Sequence, residues 1–207
     1  MRSLRRSPLS SRDLALVATF AALIAVLGLP GQVSPFGGAV PITAQTLGVM
    51  LAGSVLGARR GALSVLVLLA LVAAGLPLLA GGRGGLGVFA SPSAGYLAGW
   101  VVGAWVVGRL TELWQGRPAL AWSLAANIAG GILVVYAVGV PVQAWVLDVP
   151  LPAALATSAV FLPGDLLKAV LAAVLAGAVR RGYPVLDRGD RGDRGDREPA
   201  RPGERAT

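Results

Sequence analysis

The sequence predicts an all-α integral membrane protein, a bundle of six transmembrane helices with both termini cytoplasmic. Three observations predict it. Of 207 residues, 55% are hydrophobic and only 14% charged, with a mean hydropathy of +0.71, whereas soluble domains carry roughly a quarter charged residues. The apolar residues gather into runs near the length of about 20 residues that a helix needs to cross roughly 30 Å of hydrocarbon. The basic residues fall in clusters between alternate runs.

The first run, Leu14 to Leu29, follows Arg2, Arg5, Arg6 and Arg12 and stops at Pro30 and Gly31. It outlasts a signal-peptide core and no clear A-x-A cleavage site follows, so it is expected to be an uncleaved first helix. A second run goes from Pro41 through Gly57 to Arg59 and Arg60, and a third from Gly61 to Ala80 with Pro77 near its end. Residues 81–95 are glycine-rich and predict an irregular loop, after which Tyr96 to Leu110 form a fourth helix. Pro118 to Val138 form a fifth, Gly139 to Pro152 a proline-containing connection, and Ala153 to Val179 the sixth.

Orientation follows from the basic residues. Four Arg lie at the amino end, two between helices 2 and 3, two between helices 4 and 5, and eight at the carboxyl end; the opposite connections hold only Arg83 and Asp148. The positive-inside rule then puts both termini in the cytoplasm. Residues 1–12 form a basic amino-terminal segment, 13–183 the membrane domain, and 184–207 a tail. The tail reads DRGDRGDRGDRE from Asp187 and has no apolar periodicity to bury, so it is expected to be disordered. Its Arg-Gly-Asp triplets are a repeat of solvated opposite charges rather than an adhesion signal.

Composition excludes much chemistry. The chain has no Cys and no His, which removes disulfides, Cys/His metal sites, thiol nucleophiles and the commonest general base. No carboxylate cluster replaces them, so a membrane enzyme is disfavoured. The formal charge of +8 follows membrane topology, not a nucleic-acid-binding face. One Asp and one Lys on a single helix do not make the ring of like charges that a channel needs.

Those two residues are the first candidates for function. Asp165 and Lys168 stand three apart in FLPGDLLKAVLAAVLAG, share a helix face and can pair. A charge at the bilayer centre costs at least about 2.5 kcal/mol, so neither is expected to face lipid. A structural ion pair is one reading. A polar binding site is the other, favoured because Pro163 and Gly164 bend or restart the helix just before the pair and free backbone amides there. Lys168 is also the only lysine beside seventeen arginines.

Other segments are more ambiguous. AGGRGGLGVFASPSAGYLAG, residues 80–99, either allows tight reentry between helices or folds over a ligand with Phe89 and Tyr96 as flat faces. It lacks the Lys-Ser or Lys-Thr of a phosphate loop. In helix 1, Ala15, Ala18, Ala22 and Ala25 form one stripe, which either packs inside the bundle or docks another membrane subunit. Gln45 serves either a helix–helix hydrogen bond or a ligand.

Taken in order, VPITAQTLGVMLAG (40–53), GGRGGLGVF with SPSAGYLAG, and FLPGDLLKAVLA (161–172) resemble the BioY family of biotin transporter subunits, whose patterns are similar to P-V-T-x-Q-T-L, G-G-x-G-G, G-P-T-G-G-Y and P-G-D-x-x-K. The resemblance covers nearly all of residues 13–181. Ser91 and Ser93 stand where the family usually has Gly and Thr, and Ala94 replaces a Gly, which makes this loop slightly stiffer. The resemblance implies a six-helix capture subunit of the energy-coupling factor type in the prokaryotic cell membrane. Its implied partners are a transmembrane coupling protein and two cytoplasmic ATPase subunits; ATP is used by them, since this chain has no Walker motif, and no cofactor is implied. Such subunits topple in the membrane to carry the vitamin inward, and Ala18 with Ala22 resembles their A-x-x-x-A coupling patch. For biotin, the resemblance implies that Asp165 accepts a ureido N–H, Lys168 donates to a ligand oxygen, and Tyr96 and Phe89 cover the ring. Gln45 and Gly95 complete the implied binding set.

Overall fold

The computed structural model describes residues 9–29, 43–114 and 119–182. The basic residues Arg2, Arg5 and Arg6, the beginning of the second apolar run, Arg117 and the tail 184–207 lie outside the described residues. Within them the chain is helical, and the only β feature is an isolated bridge between Leu79 and Arg83.

Helix α1 (Ser11–Val26) opens with a capping box, in which the Ser10 hydroxyl accepts from the Asp13 amide and the Asp13 carboxylate accepts from the Ser10 amide. Helix α2 (Gln45–Leu56) is apolar all round, and every residue except Thr46 and Leu47 is buried, as expected for the helix at the centre of a bundle. Gly57, at φ +83°, turns the chain directly into α3 (Ala58–Ala73). The Glu112 carboxylate accepts from the Ala58 amide at 2.7 Å and so caps the positive end of α3.

Helix α3 ends earlier than the apolar run suggests. Gly75, at φ +104°, donates to the Val72 carbonyl while Leu76 donates to that of Leu71, the two bonds of a Schellman motif, and Pro77 follows. Residues 74–85 then return as a loop, and the Gly85 amide reaches back to Val72. The glycine-rich stretch is more ordered than expected: a 3-10 turn spans Leu86–Ala90, and α4 (Ala94–Leu113) starts before Tyr96.

The largest differences concern the last helices. Helix α5 (Leu120–Ile128) passes through a π-helical segment (Ala129–Val134) into α6 (Val135–Leu147), with Pro141 inside it. The expected connection from Gly139 is therefore helical as far as Leu147, since neighbouring helices tolerate a helical proline at membrane depth. Asp148, in the left-handed conformation, ends it. The expected single helix from Ala153 to Val179 is two: α7 (Leu151–Ala159) and α8 (Leu162–Gly182), broken at Val160 and Phe161. Pro163 explains the break, because a proline fits the first turn of a helix, where its missing N–H has no partner to lose, but not the interior.

Among the described helices, Leu120–Leu147 and Leu162–Gly182 are long and apolar enough to cross a membrane. Helix α4 packs against the first of these through Gly95, Gly99 and Gly103, one turn apart. A Cβ on Gly103 would lie 2.6 Å from the Gly130 carbonyl, and one on Gly130 would lie 2.6 Å from that of Gly103. Small residues here bring two backbones into contact. Gly130→Leu is therefore expected to lower stability by about 1–3 kcal/mol through overpacking, read as a fall in the thermal unfolding midpoint in detergent. Val102→Leu, on the exposed side of α4, should leave it unchanged.

Candidate functional site

A cavity opens among the beginnings of α2, α4 and α8, the π segment, α6 and the 81–93 loop, with about 580 Å³ of atom-free space including its mouth. Its polar wall is built by α2, α6 and α8. The break at Phe161 restarts α8 so that Asp165 falls in its first turn, where the amino-terminal dipole favours a carboxylate. One turn on, Lys168 pairs with it at 2.9 Å, and the two side chains are only 7% and 14% exposed. The Lys168 ammonium also donates to the Thr46 hydroxyl at 3.1 Å, and the Tyr136 hydroxyl donates to the second Asp165 oxygen at 2.6 Å.

Counting donors and acceptors shows what this wall can offer. A carboxylate has about four acceptor positions and an ammonium three donors. Asp165 receives from Lys168 and Tyr136 and, at 3.4 Å, from Thr46, while Lys168 gives to Asp165 and Thr46. One acceptor position and one N–H remain for a ligand, side by side.

The opposite part of the cavity carries Arg83, held by its donation to the Ser93 hydroxyl at 3.1 Å and to the Ala80 carbonyl at 3.3 Å. Burial lowers the affinity of its guanidinium for a proton, yet arginine keeps its charge throughout the physiological range. Among the described residues no carboxylate pairs with it. Trp100, Phe161, Leu97 and Val135 supply apolar surface, and the Tyr96 and Tyr136 rings meet edge to face at 6.1 Å.

The structure brings together four of the residues singled out in the sequence: Asp165, Lys168, Tyr96 and Gln45 all line the cavity. Two of these have prior commitments. The Tyr96 hydroxyl is bound away from the charged pair, to Gln143 at 2.7 Å and Ser158 at 2.8 Å, while Gly139 gives its ring room on α6. Gln45 donates to the carbonyls of Ile24 and Leu78 and accepts from the Ala80 amide, so both its N–H groups tie the end of α1 and the loop to α2. Phe89 and Gly95 are not in the lining. Phe89 is partly exposed on the 3-10 turn, and Gly95 packs on Val138 and Val142. Their places as flat face and loop contact are taken by Trp100, Phe161 and Ser93. Ala18 and Ala22 are exposed on α1, on the side away from buried Val17, Ala21 and Ile24.

Thr46, Tyr136 and Arg83 escaped sequence reasoning. Thr46 lies within the quoted PITAQT motif, one residue after Gln45, and Tyr136 is the single phenol in an apolar helix. Arg83 was visible as the one basic residue at odds with the charge asymmetry, and that misfit is its signal.

An all-helical bundle with long apolar helices around a buried, charged cavity defines a membrane protein of the small-ligand-binding class. A crystal structure at 2.1 Å of the S-component for biotin from an ECF-type ABC transporter matches with a TM-score of 0.77 and 33% identity, over 82% of this chain and 91% of that one. The chain belongs to the BioY family, whose model matches residues 1–185. It is similar to the biotin transporter BioY of Rhizobium etli, 52% identical over 183 residues, 86% of this chain and 98% of that protein. It is also similar to the biotin transporter BioY of Rhodobacter capsulatus, 47% identical over 191 residues, 86% of this chain and 99% of that protein. The family resemblance carried by the three sequence motifs is thereby borne out.

Because Gln45 satisfies three backbone groups, Gln45→Leu should destabilise the protein by at least about 1–3 kcal/mol, the usual penalty for buried polar groups left without partners. Thermal unfolding in detergent checks this, and an unchanged midpoint would contradict the tying role.

Proposed function

We propose that this protein captures biotin and serves its uptake as the substrate-binding subunit of an energy-coupling factor transporter. The observation that carries the proposal is the Asp165–Lys168–Thr46–Tyr136 network in the cavity wall. The ureido group of biotin presents N–H donors next to a carbonyl acceptor, and the wall presents a spare carboxylate position next to a spare ammonium N–H. Asp165 takes a ureido N–H and Lys168 gives to the ureido oxygen. The apolar bicycle lies against Trp100, Phe161 and the Tyr96 ring.

The valerate carboxylate needs a cation that is not already neutralised. Lys168 is neutralised by Asp165, whereas Arg83 has no carboxylate partner among the described residues, so Arg83 takes the valerate. The titles of the relatives, which name biotin transport and a biotin S-component, support the same ligand.

The chain spans the prokaryotic cytoplasmic membrane six times with both termini inside. The basic clusters support this, as do Trp145 at one end of the long helix and the stacked Trp114 and Trp122 at the other, since tryptophans favour the membrane interfaces. A transmembrane coupling subunit and two ATPase subunits supply the energy, and Ala18 with Ala22 on the outer face of α1 is the docking patch. Exposure of both alanines favours docking over packing inside the bundle.

Labelled biotin should bind the purified protein in preference to thiamin and riboflavin, and equal binding of all three would contradict the assignment. Arg83→Ala should weaken biotin by about 1–3 kcal/mol, roughly 5- to 150-fold, but not the methyl ester of biotin, which has no carboxylate to lose. Ala18→Trp or Ala22→Trp should reduce uptake by cells and leave binding intact; equal loss of both would assign the alanines to internal packing.

A further inference from the structure

Beyond the cavity, the same three helices carry polar groups that the proposed biotin site does not use. Thr46, Met50 and Ser54 follow one another at intervals of one turn along α2. Facing them on the π segment and α5 are Gly131, Asn127 and Ser123, also one turn apart. Thr46 and Gly131 line the cavity. Below them the Met50 side chain rests on Gly131, where a Cβ would lie 2.5 Å from the Met50 Cε. One turn further, the Ser54 hydroxyl donates to the Asn127 carbonyl oxygen at 3.0 Å. At the end of the bundle, Arg180 of α8 donates to Ser123 at 3.2 Å.

This stretch is polar beyond what its packing requires. The Asn127 amide nitrogen is fully buried and has no hydrogen-bond partner among the described residues, nor has one guanidinium nitrogen of Arg180. Leaving such donors dry is costly, so each calls for water or a ligand. The third side of the seam is Ala169, Ala172 and Ala176 of α8, all buried, which put little side chain in the way. What separates the cavity from the lower polar stretch is thus the flexible, unbranched Met50. The floor beside it is π-helical, and such segments can shift their hydrogen-bond register.

We propose that the seam between α2, α5 and α8 is a gated release path, closed beneath the cavity by Met50 on Gly131 and continued by a hydrated stretch of Asn127, Ser123 and Arg180. The ligand it fits is the carboxylate-bearing molecule of the cavity, whose negative end is drawn toward Arg180. The path rests on the biotin reading of the cavity and on the Arg180 end facing the cytoplasm.

The absence of cysteine makes the full chain a ready background for single-cysteine labelling in proteoliposomes. A membrane-impermeant anionic methanethiosulfonate added on the side where Arg181→Cys reacts should modify Asn127→Cys at least about tenfold faster than its buried neighbour Ala126→Cys, since only a hydrated thiol ionises to the reactive thiolate. Ser123→Cys should react as Asn127→Cys does. Adding Met50→Ala should let the reagent reach Asn127→Cys from the opposite side as well, and biotin should slow that reaction. If Asn127→Cys and Ser123→Cys react as slowly as Ala126→Cys in protein that binds biotin normally, the path is overturned. If the unsubstituted chain binds no biotin, the reading beneath it is overturned instead.

Discussion

An aspartate and a lysine buried on one apolar helix impose a constraint that much of this structure answers. Removing two charges from water costs several kcal/mol per ion, and their attraction repays it only when the remaining hydrogen-bonding positions are also filled. Thr46 and Tyr136 fill some of them, which fixes α2 and α6 against α8. The break at Phe161 puts Asp165 at a helix beginning rather than in its middle, where the dipole would not help. Even so, the network is left short of saturation on the side of the cavity. A pair meant only to lock helices would be better served by apolar residues of similar volume, which often stabilise as well or better.

Helix α2 carries this arrangement inward. Its near-complete burial makes it the element that the others pack around, and its polar residues divide the labour. Gln45 ties the loop and the end of α1 to the bundle, Thr46 joins the charged pair, and Ser54 meets Asn127. The glycines of α4 and the π segment let the long helix approach closely enough to place Tyr136 and Gly131 at the cavity. Positioning of the ligand groups therefore rests on backbone contact, which is stiffer than contact through long side chains.

Much of this was legible in the sequence. Composition and the apolar runs gave the helical membrane class, and the cost of intramembrane charge singled out Asp165 and Lys168 before any coordinates. Less legible were features set by tertiary contact. Pro141 reads as a helix breaker yet sits inside α6, because packed neighbours at membrane depth make up for a lost backbone bond. Pro163 reads as a bend within one helix but marks the start of a new one. Phe89 was chosen for its aromatic ring in a loop, whereas the rings that reach the cavity, Trp100 and Phe161, lie in segments whose sequences give no sign of which way they face. Arg83 was seen only as a departure from charge asymmetry, since its burial comes from a loop fold that glycine content cannot specify.

The central claim is that Asp165 and Lys168 are held partly unsatisfied for a ligand rather than for the bundle. The most direct measurement is biotin affinity, beside a check for a monodisperse species in detergent, for Asp165→Asn, Lys168→Met and the two combined. A ligand role predicts that all three lose binding by about 1–3 kcal/mol, roughly 5- to 150-fold, with the double variant no better than either single one. Recovery of biotin affinity in the double variant would contradict the account, because it would show that the pair matters only for balancing its own charge.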